Sequence, residues 1–131
     1  MKIKSALTVA FCFLICNSYG QNEVNSTKQA IIASVEKHKA NLIKISDDIW
    51  ALAETAFEET KSSKILSDYA EEQGFTVVRG VAGMPTAFVA TYGSGKPVIS
   101  VLGEFDALPG LSQQAQPTKN PISEGKPGHG C

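Results

Sequence analysis

Apolar residues recur at Ile31, Val35, Leu42, Ile45, Ile49, Leu52 and Ala56, in alternating steps of three and four apart from a gap around His38. That spacing lines one face of a helix and predicts several amphipathic turns. Asn25, Ser26 or Thr27 can cap its start. Asp47, Asp48, Glu54, Glu58 and Glu59 fall mostly on the other faces and read as a solvated surface. Trp50 lies beside the stripe and is expected to close the helix against its neighbour. His38 sits between Lys37 and Lys39 with no second histidine at i+4, so it is expected to be exposed or packed rather than ligating. The pattern breaks at residues 56–63. It restarts as a second helix from about Ser62 to Gln73, with Ile65, Leu66, Tyr69 and Ala70 inward and Gly74 as the C-cap.

Beyond Gly74 the period shortens. Phe75 to Arg79 predicts a strand, stopped by Gly80 and by Gly83-Met84-Pro85. Thr86 to Tyr92 alternates around Phe88 and Ala90 and predicts a second. Gly93-Ser94-Gly95-Lys96 has the glycines of a turn, and Pro97 to Gly103 would return as a third strand, making 86–103 a β-hairpin. Within it, Val98-Ile99-Ser100-Val101-Leu102 is short, largely β-branched and apolar apart from Ser100, the pattern of a buried strand. Two helices followed by about three strands predict an α/β class with a mixed sheet. The stretch from Ala107 to Gly130 has no periodicity and carries four of the six prolines. Loops of that length are usually functional or disordered, and Gln113 to Asn120 taken alone suggests disorder.

The chemistry gathers around that loop. Glu104 and Asp106 stand two residues apart, and in an extended chain that spacing points both carboxylates to one face. Two acids at the mouth of a buried strand are costly without a positive partner, such as a metal ion or a substrate ammonium. The loop ends in Gly128-His129-Gly130-Cys131, which offers a histidine and a cysteine, both good zinc ligands.

These residues also carry a resemblance. Glu104-Phe105-Asp106-Ala107-Leu108-Pro109-Gly110-Leu111-Ser112-Gln113, followed by Gly128-His129-Gly130-Cys131, resembles the front half of the dinuclear zinc amidohydrolase/peptidase family. That family comprises aminoacylases, glutamate carboxypeptidases and amino-acid-conjugate hydrolases, and the likeness is closest to its p-aminobenzoyl-glutamate hydrolase branch. It runs from about Ile43 onward and includes the Phe-x-Glu-x-x-Ser pattern at Phe57, Glu59 and Ser62. The resemblance implies the N-terminal part of a zinc-exopeptidase-like mixed-sheet sandwich. The implied reaction is hydrolysis of an amide between an acyl or aroyl group and an amino acid. Cys131 matches a metal ligand and His129 a residue lining the site. Asp106 matches the aspartate that orders the site, and Glu104 an acid acting electrostatically where many relatives carry a histidine ligand. The cofactor implied is zinc, two ions in a complete enzyme, or another divalent metal such as manganese. General-base glutamates, the remaining ligands and a lid domain follow Cys131 in the family. The chain is therefore read as a fragment, inactive alone, of an enzyme expected to be a homodimer acting on small acyl- or aroyl-amino acids.

Composition changes this picture little. With 131 residues, a net charge of −1 and 43% hydrophobic residues, the chain suits one domain and gives no electrostatic reason to expect nucleic acid as a partner. Its start does add something. Met1-Lys2-Ile3-Lys4 and the apolar 6–16 stretch form a secretory signal over residues 1–20, too short to span a bilayer, with cleavage expected after Gly20. Residues 21–131 would then be the catalytic-domain part, with 107–131 a long active-site loop, exported to the periplasm or outside the cell without a stable membrane anchor. A lipoprotein anchor at Cys16 is the alternative, although Phe13-Leu14-Ile15 match that pattern poorly. Cys12 and Cys16 leave with the signal, so Cys131 has no cysteine to pair with. Two other readings remain beside the hydrolase: a non-catalytic truncated remnant, and a complementing subunit of a split hydrolase.

Overall fold

The computed structural model describes residues 25–130. The expected signal segment, Cys16, the cleavage position after Gly20 and the proposed ligand Cys131 lie outside the described residues. The described residues fall into two units, 25–37 and 38–130. In order, the elements are α1 (Ser26–Leu52), α2 (Thr60–Glu72), β1 (Thr76–Arg79), a 3-10 turn (Val81–Gly83) and β2 (Phe88–Thr91).

The part of α1 in the first unit begins where the sequence places its cap. Asn25 Oδ1 accepts the Lys28 N–H at 2.9 Å, which satisfies one of the free donors of the first turn. Ile31 and Val35 of its apolar stripe are exposed. Among the described residues no helix is long and apolar enough to cross a membrane.

In the second unit the stripe becomes half-buried at Ile45, Ile49 and Leu52. The Nδ1 atom of His38 lies 3.0 Å from the Tyr69 hydroxyl of α2, so this histidine is packed, as expected. The helix stops at Leu52, and Ala53 takes a left-handed φ of 47°. The second helix ends in a Schellman motif. Gly74, at φ 87°, donates its N–H to Glu71 O at 2.9 Å, and Phe75 donates to Ala70 O at 3.0 Å. Arg79 of β1 ties the sheet to α2 through Asp68, Glu71 and the Ser67 hydroxyl. A hydrogen bond from Lys64 holds Asp68 below the usual carboxylate range, and one from Arg79 does the same for Glu71.

The sheet corrects the expected hairpin. β2 pairs antiparallel with β1, in the register Thr76↔Thr91, Val77↔Ala90, Val78↔Val89 and Arg79↔Phe88. The connection at 80–87 carries Gly80 at φ 69° and closes through Gly80 N–H to Ala87 O at 2.8 Å. Pro97 to Gly103 is no strand, and the sheet has two strands rather than three. Val98, Ile99, Val101 and Leu102 are 82%, 85%, 94% and 92% exposed. The physical reason is that a strand with apolar residues on both faces needs cover on both and pairing on its edges, and no described element supplies either. The architecture is a small α/β unit of two helices and one two-stranded antiparallel sheet.

Three acids read as solvated have partners: Asp48, which pairs with Lys44 one turn earlier on α1, Glu54, which belongs with the site below, and Glu59. Glu59 is buried at 8% exposure and accepts the Thr86 hydroxyl at 2.7 Å. Ser63, on the first turn of α2, donates its hydroxyl to Thr86 O at 2.6 Å. Thr86→Val keeps the shape but leaves the buried carboxylate without its donor, and is expected to cost about 1 kcal/mol. The check is a lower urea midpoint at unchanged m-value; an unchanged midpoint would show that the hydrogen bond contributes nothing net.

Candidate functional site

Leu108 of the first motif and Gly128 of the second lie 20 residues apart in sequence and meet in space. Leu108 and Gly128 exchange a reciprocal pair of backbone hydrogen bonds, Leu108 N–H to Gly128 O at 3.0 Å and Gly128 N–H to Leu108 O at 3.1 Å. Because this bridge is antiparallel, the residues just before Leu108 run alongside those just after Gly128. Asp106 is thus brought to the end of the chain that carries His129. A second attachment fixes the same strand from behind: the Ala107 N–H donates to Glu54 O at 2.7 Å in a parallel bridge with Thr55. Ala107 is 1% exposed, and it is the one buried hydrophobic residue among those described.

The glycines of Gly128-His129-Gly130 are explained by how closely the loop folds back. A Cβ added at Gly128 would lie 2.5 Å from Leu111 O and 2.6 Å from Ser112 Cα. One at Gly130 would lie 2.6 Å from Leu111 O and 2.7 Å from Gln113 Cβ. Gly130 also donates its N–H to Leu111 O at 3.1 Å, and Ser112 donates to Lys126 O at 3.0 Å. Only a residue without a side chain permits backbone to pass backbone at these separations.

The acids do not sit as the sequence led us to expect. Phe105 packs its ring against Phe88 of β2, with centroids 6.2 Å apart, so its side chain is directed to the sheet. Asp106 is half-buried, whereas Glu104 is exposed. The stretch before them is not the buried strand that was expected to make their charges costly. Neither forms an ion pair or side-chain hydrogen bond among the described residues.

His129 is half-buried against Trp50 of α1, with ring centroids 6.4 Å apart and planes tilted by 33°. Trp50 therefore closes α1 against this loop. The Nε2 atom of His129 is buried and has no hydrogen-bond partner among the described residues, an unusual condition for a buried polar atom. It is the observation here that fits a further polar group, metal-bound or otherwise, arriving at the site. Yet among the described residues no three His, Cys, Asp or Glu side chains converge closely enough to hold a metal ion. Asp106, Glu104 and His129 do not by themselves make a dinuclear centre.

Sequence reasoning missed Glu54. Its carboxylate accepts the Lys61 N–H at 3.1 Å, the Ser62 N–H at 2.8 Å and the Ser62 hydroxyl at 2.8 Å, capping α2 from outside that helix. One residue therefore holds α2 with its side chain and the Asp106-Ala107 strand with its carbonyl. The Glu-to-Ser part of the family-like pattern gave a signal, but it pointed to Glu59 rather than Glu54. The loop at 113–120, read alone as disordered, is hydrogen-bonded. Gln113 Nε2 donates to Thr118 O at 2.8 Å and to Gln114 O at 3.0 Å, while its Oε1 accepts the Asn120 N–H at 2.9 Å.

The comparison with known proteins agrees with the resemblance carried by the two motifs. The chain is 48% identical over 101 residues to one of the subunits of p-aminobenzoyl-glutamate hydrolase from Escherichia coli (strain K12), a match covering 75% of this chain and 21% of that protein. The chain thus spans about a fifth of the length of the curated relative it matches. No family model and no solved structure matches it.

Proposed function

We propose that this chain is the N-terminal part of the catalytic domain of a metal-dependent amidohydrolase, cleaving the amide between an acyl or aroyl group and an amino acid. Substrates like p-aminobenzoyl-glutamate, after which the relative is named, are the first to test. The observation that carries the reading is the Leu108–Gly128 bridge, which joins the two family-like motifs into one site beside Trp50. Zinc bound there would polarise the scissile carbonyl and lower the pKa of an attacking water. In this reading Cys131 is a metal ligand, Asp106 orders the site, Glu104 adds negative potential and His129 lines the wall. The described donors are too few to hold the metal, so the remaining ligands come from polypeptide corresponding to the rest of the relative. The surroundings of Val98–Leu102 favour the same arrangement, since a run apolar on both faces calls for strands beside it and helices over it. That polypeptide would complete the sandwich and, in the whole enzyme, a homodimer or a complex with a partner subunit. Export through the 1–20 signal belongs to the same proposal.

A hybrid tests it. The matching 101-residue segment of the E. coli protein is replaced by its counterpart here, and hydrolysis of p-aminobenzoyl-glutamate is followed by release of p-aminobenzoate. The hybrid is expected to be active and chelator-sensitive, the 131-residue chain alone inactive, and the Asp106→Asn hybrid slower by about 10- to 100-fold. A folded but inert hybrid would overturn the reading, whereas turnover by the chain alone would overturn only its dependence on ligands from further polypeptide.

A further inference from the structure

The loop that carries the two motifs also forms an open cleft of about 350 Å³, bordered by Leu111, Ser112, Thr118, Lys119, Glu124 and Gly130, among others. That volume lies within the range of small-ligand sites, roughly 300–1,000 Å³. One wall is set in advance of any ligand. Gln113 gathers the carbonyls of Gln114 and Thr118 and the N–H of Asn120, and Gln116 Nε2 donates to Thr118 Oγ1 at 3.1 Å. A wall already ordered loses little entropy when it binds.

Charge distinguishes the cleft. Lys119, one of the lining residues, is exposed and has no ion-pair or hydrogen-bond partner among the described residues. The backbone N–H groups of Thr118 and Lys119 are also unpaired among the described residues. A full positive charge with two free amide donors beside it is the equipment for a carboxylate. Leu111 and Pro117 contribute apolar surface for a short methylene chain. Glu124 is the one acid on the lining, and it limits how much negative charge the cleft tolerates. Gly130 of the second motif also lines it.

We propose that this cleft is a carboxylate subsite in which Lys119 selects substrates whose amino-acid half is acidic. The substrate assignment rests on the hydrolase reading above; binding of a carboxylate does not. The test is therefore a titration without turnover. The ¹⁵N-labelled 131-residue chain is titrated with glutarate, and in parallel with its uncharged diamide, glutaramide. Glutarate is expected to shift the amides of Thr118, Lys119 and Gly125 saturably, and glutaramide to leave them in place. Lys119→Ala should weaken glutarate by about threefold, the scale of an exposed ion pair, and Glu124→Gln should tighten it by a similar factor. Both residues are exposed, so each variant is expected to retain the parent spectrum elsewhere, and that spectrum verifies folding. Equal shifts with the diamide, indifference to Lys119→Ala, or shifts confined to other residues would each overturn the proposal. Glutarate binding with an inert hybrid would refute the hydrolase and leave the subsite standing. An active hybrid with no glutarate effect would do the reverse.

Discussion

Replacing Gly128 by alanine is expected to separate the two motifs. The new methyl would stand 2.5 Å from Leu111 O and 2.6 Å from Ser112 Cα, and both are backbone atoms that no rotamer change can move aside. Relief requires the 108–112 segment to withdraw, which breaks the reciprocal Leu108–Gly128 bonds and loosens Ser112 from Lys126. Overpacking of this kind costs typically about 1–3 kcal/mol, and the lost backbone pair places this case at about 3 kcal/mol. Hydrogen exchange is the direct measurement: the amides of Leu108, Ser112 and Gly128 should lose protection together, while those of α2 keep theirs. In the hybrid enzyme the same substitution should abolish hydrolysis with the helices intact. Retained protection at Leu108 would show that the loop can accommodate a side chain at this point.

Glu54→Ala is expected to cost about 2 kcal/mol, because one carboxylate supplies both the cap of α2 and the anchor of the chain entering it. Three donors from Lys61 and Ser62 would lose their acceptor at once. The ionisation of Glu54 makes the effect pH-dependent. Burial disfavours its charged form, but hydrogen bonds from the Ser62 backbone and hydroxyl and the Lys61 backbone, together with the Lys61 charge, outweigh it and hold the carboxyl below its usual range. A carboxyl depressed on folding stabilises the protein fully above its unfolded pKa and loses that contribution as pH falls through the folded one. The wild-type advantage over Glu54→Ala should therefore be constant near neutral pH and shrink in acid, below the ordinary glutamate range. Urea denaturation of both proteins near neutral pH and again in acid, below that range, tests this. An advantage that grows in acid would contradict it.

The helices were legible because their signals are local. The 3-4 stripe, the cap at Asn25 and the glycine at position 74 each act within a turn of where they stand. The strands were half legible. Residues 76–79 and 88–91 carry strand patterns, but which strand pairs with which depends on the turn between them. Here the left-handed Gly80 turn prevails over the Gly93-Ser94-Gly95 turn, which leads instead into exposed chain. The acids were misread for a related reason. A glutamate on a helix is usually solvated, and Glu54 and Glu59 gain their partners only after the chain reverses to bring Ser62 and Thr86 alongside. At the site, the motifs showed which residues belong together but not how. The roles of Trp50 and of the two close-packed glycines became visible only in three dimensions.

The exposed stretch from Val98 to Leu102 has a consequence for the chain's life in solution. Five consecutive uncharged, mostly β-branched residues without proline form the kind of window from which intermolecular cross-β growth starts. A net charge of −1 offers little repulsion between molecules to oppose it. The flanks do oppose it. Lys96-Pro97 on one side and Gly103-Glu104 on the other place a charge and a strand-breaker at each end, confining the window to five residues. Glu104 is thus a gatekeeper against self-assembly, whatever part it takes in chemistry, and removing its charge would lengthen the sticky segment toward Phe105.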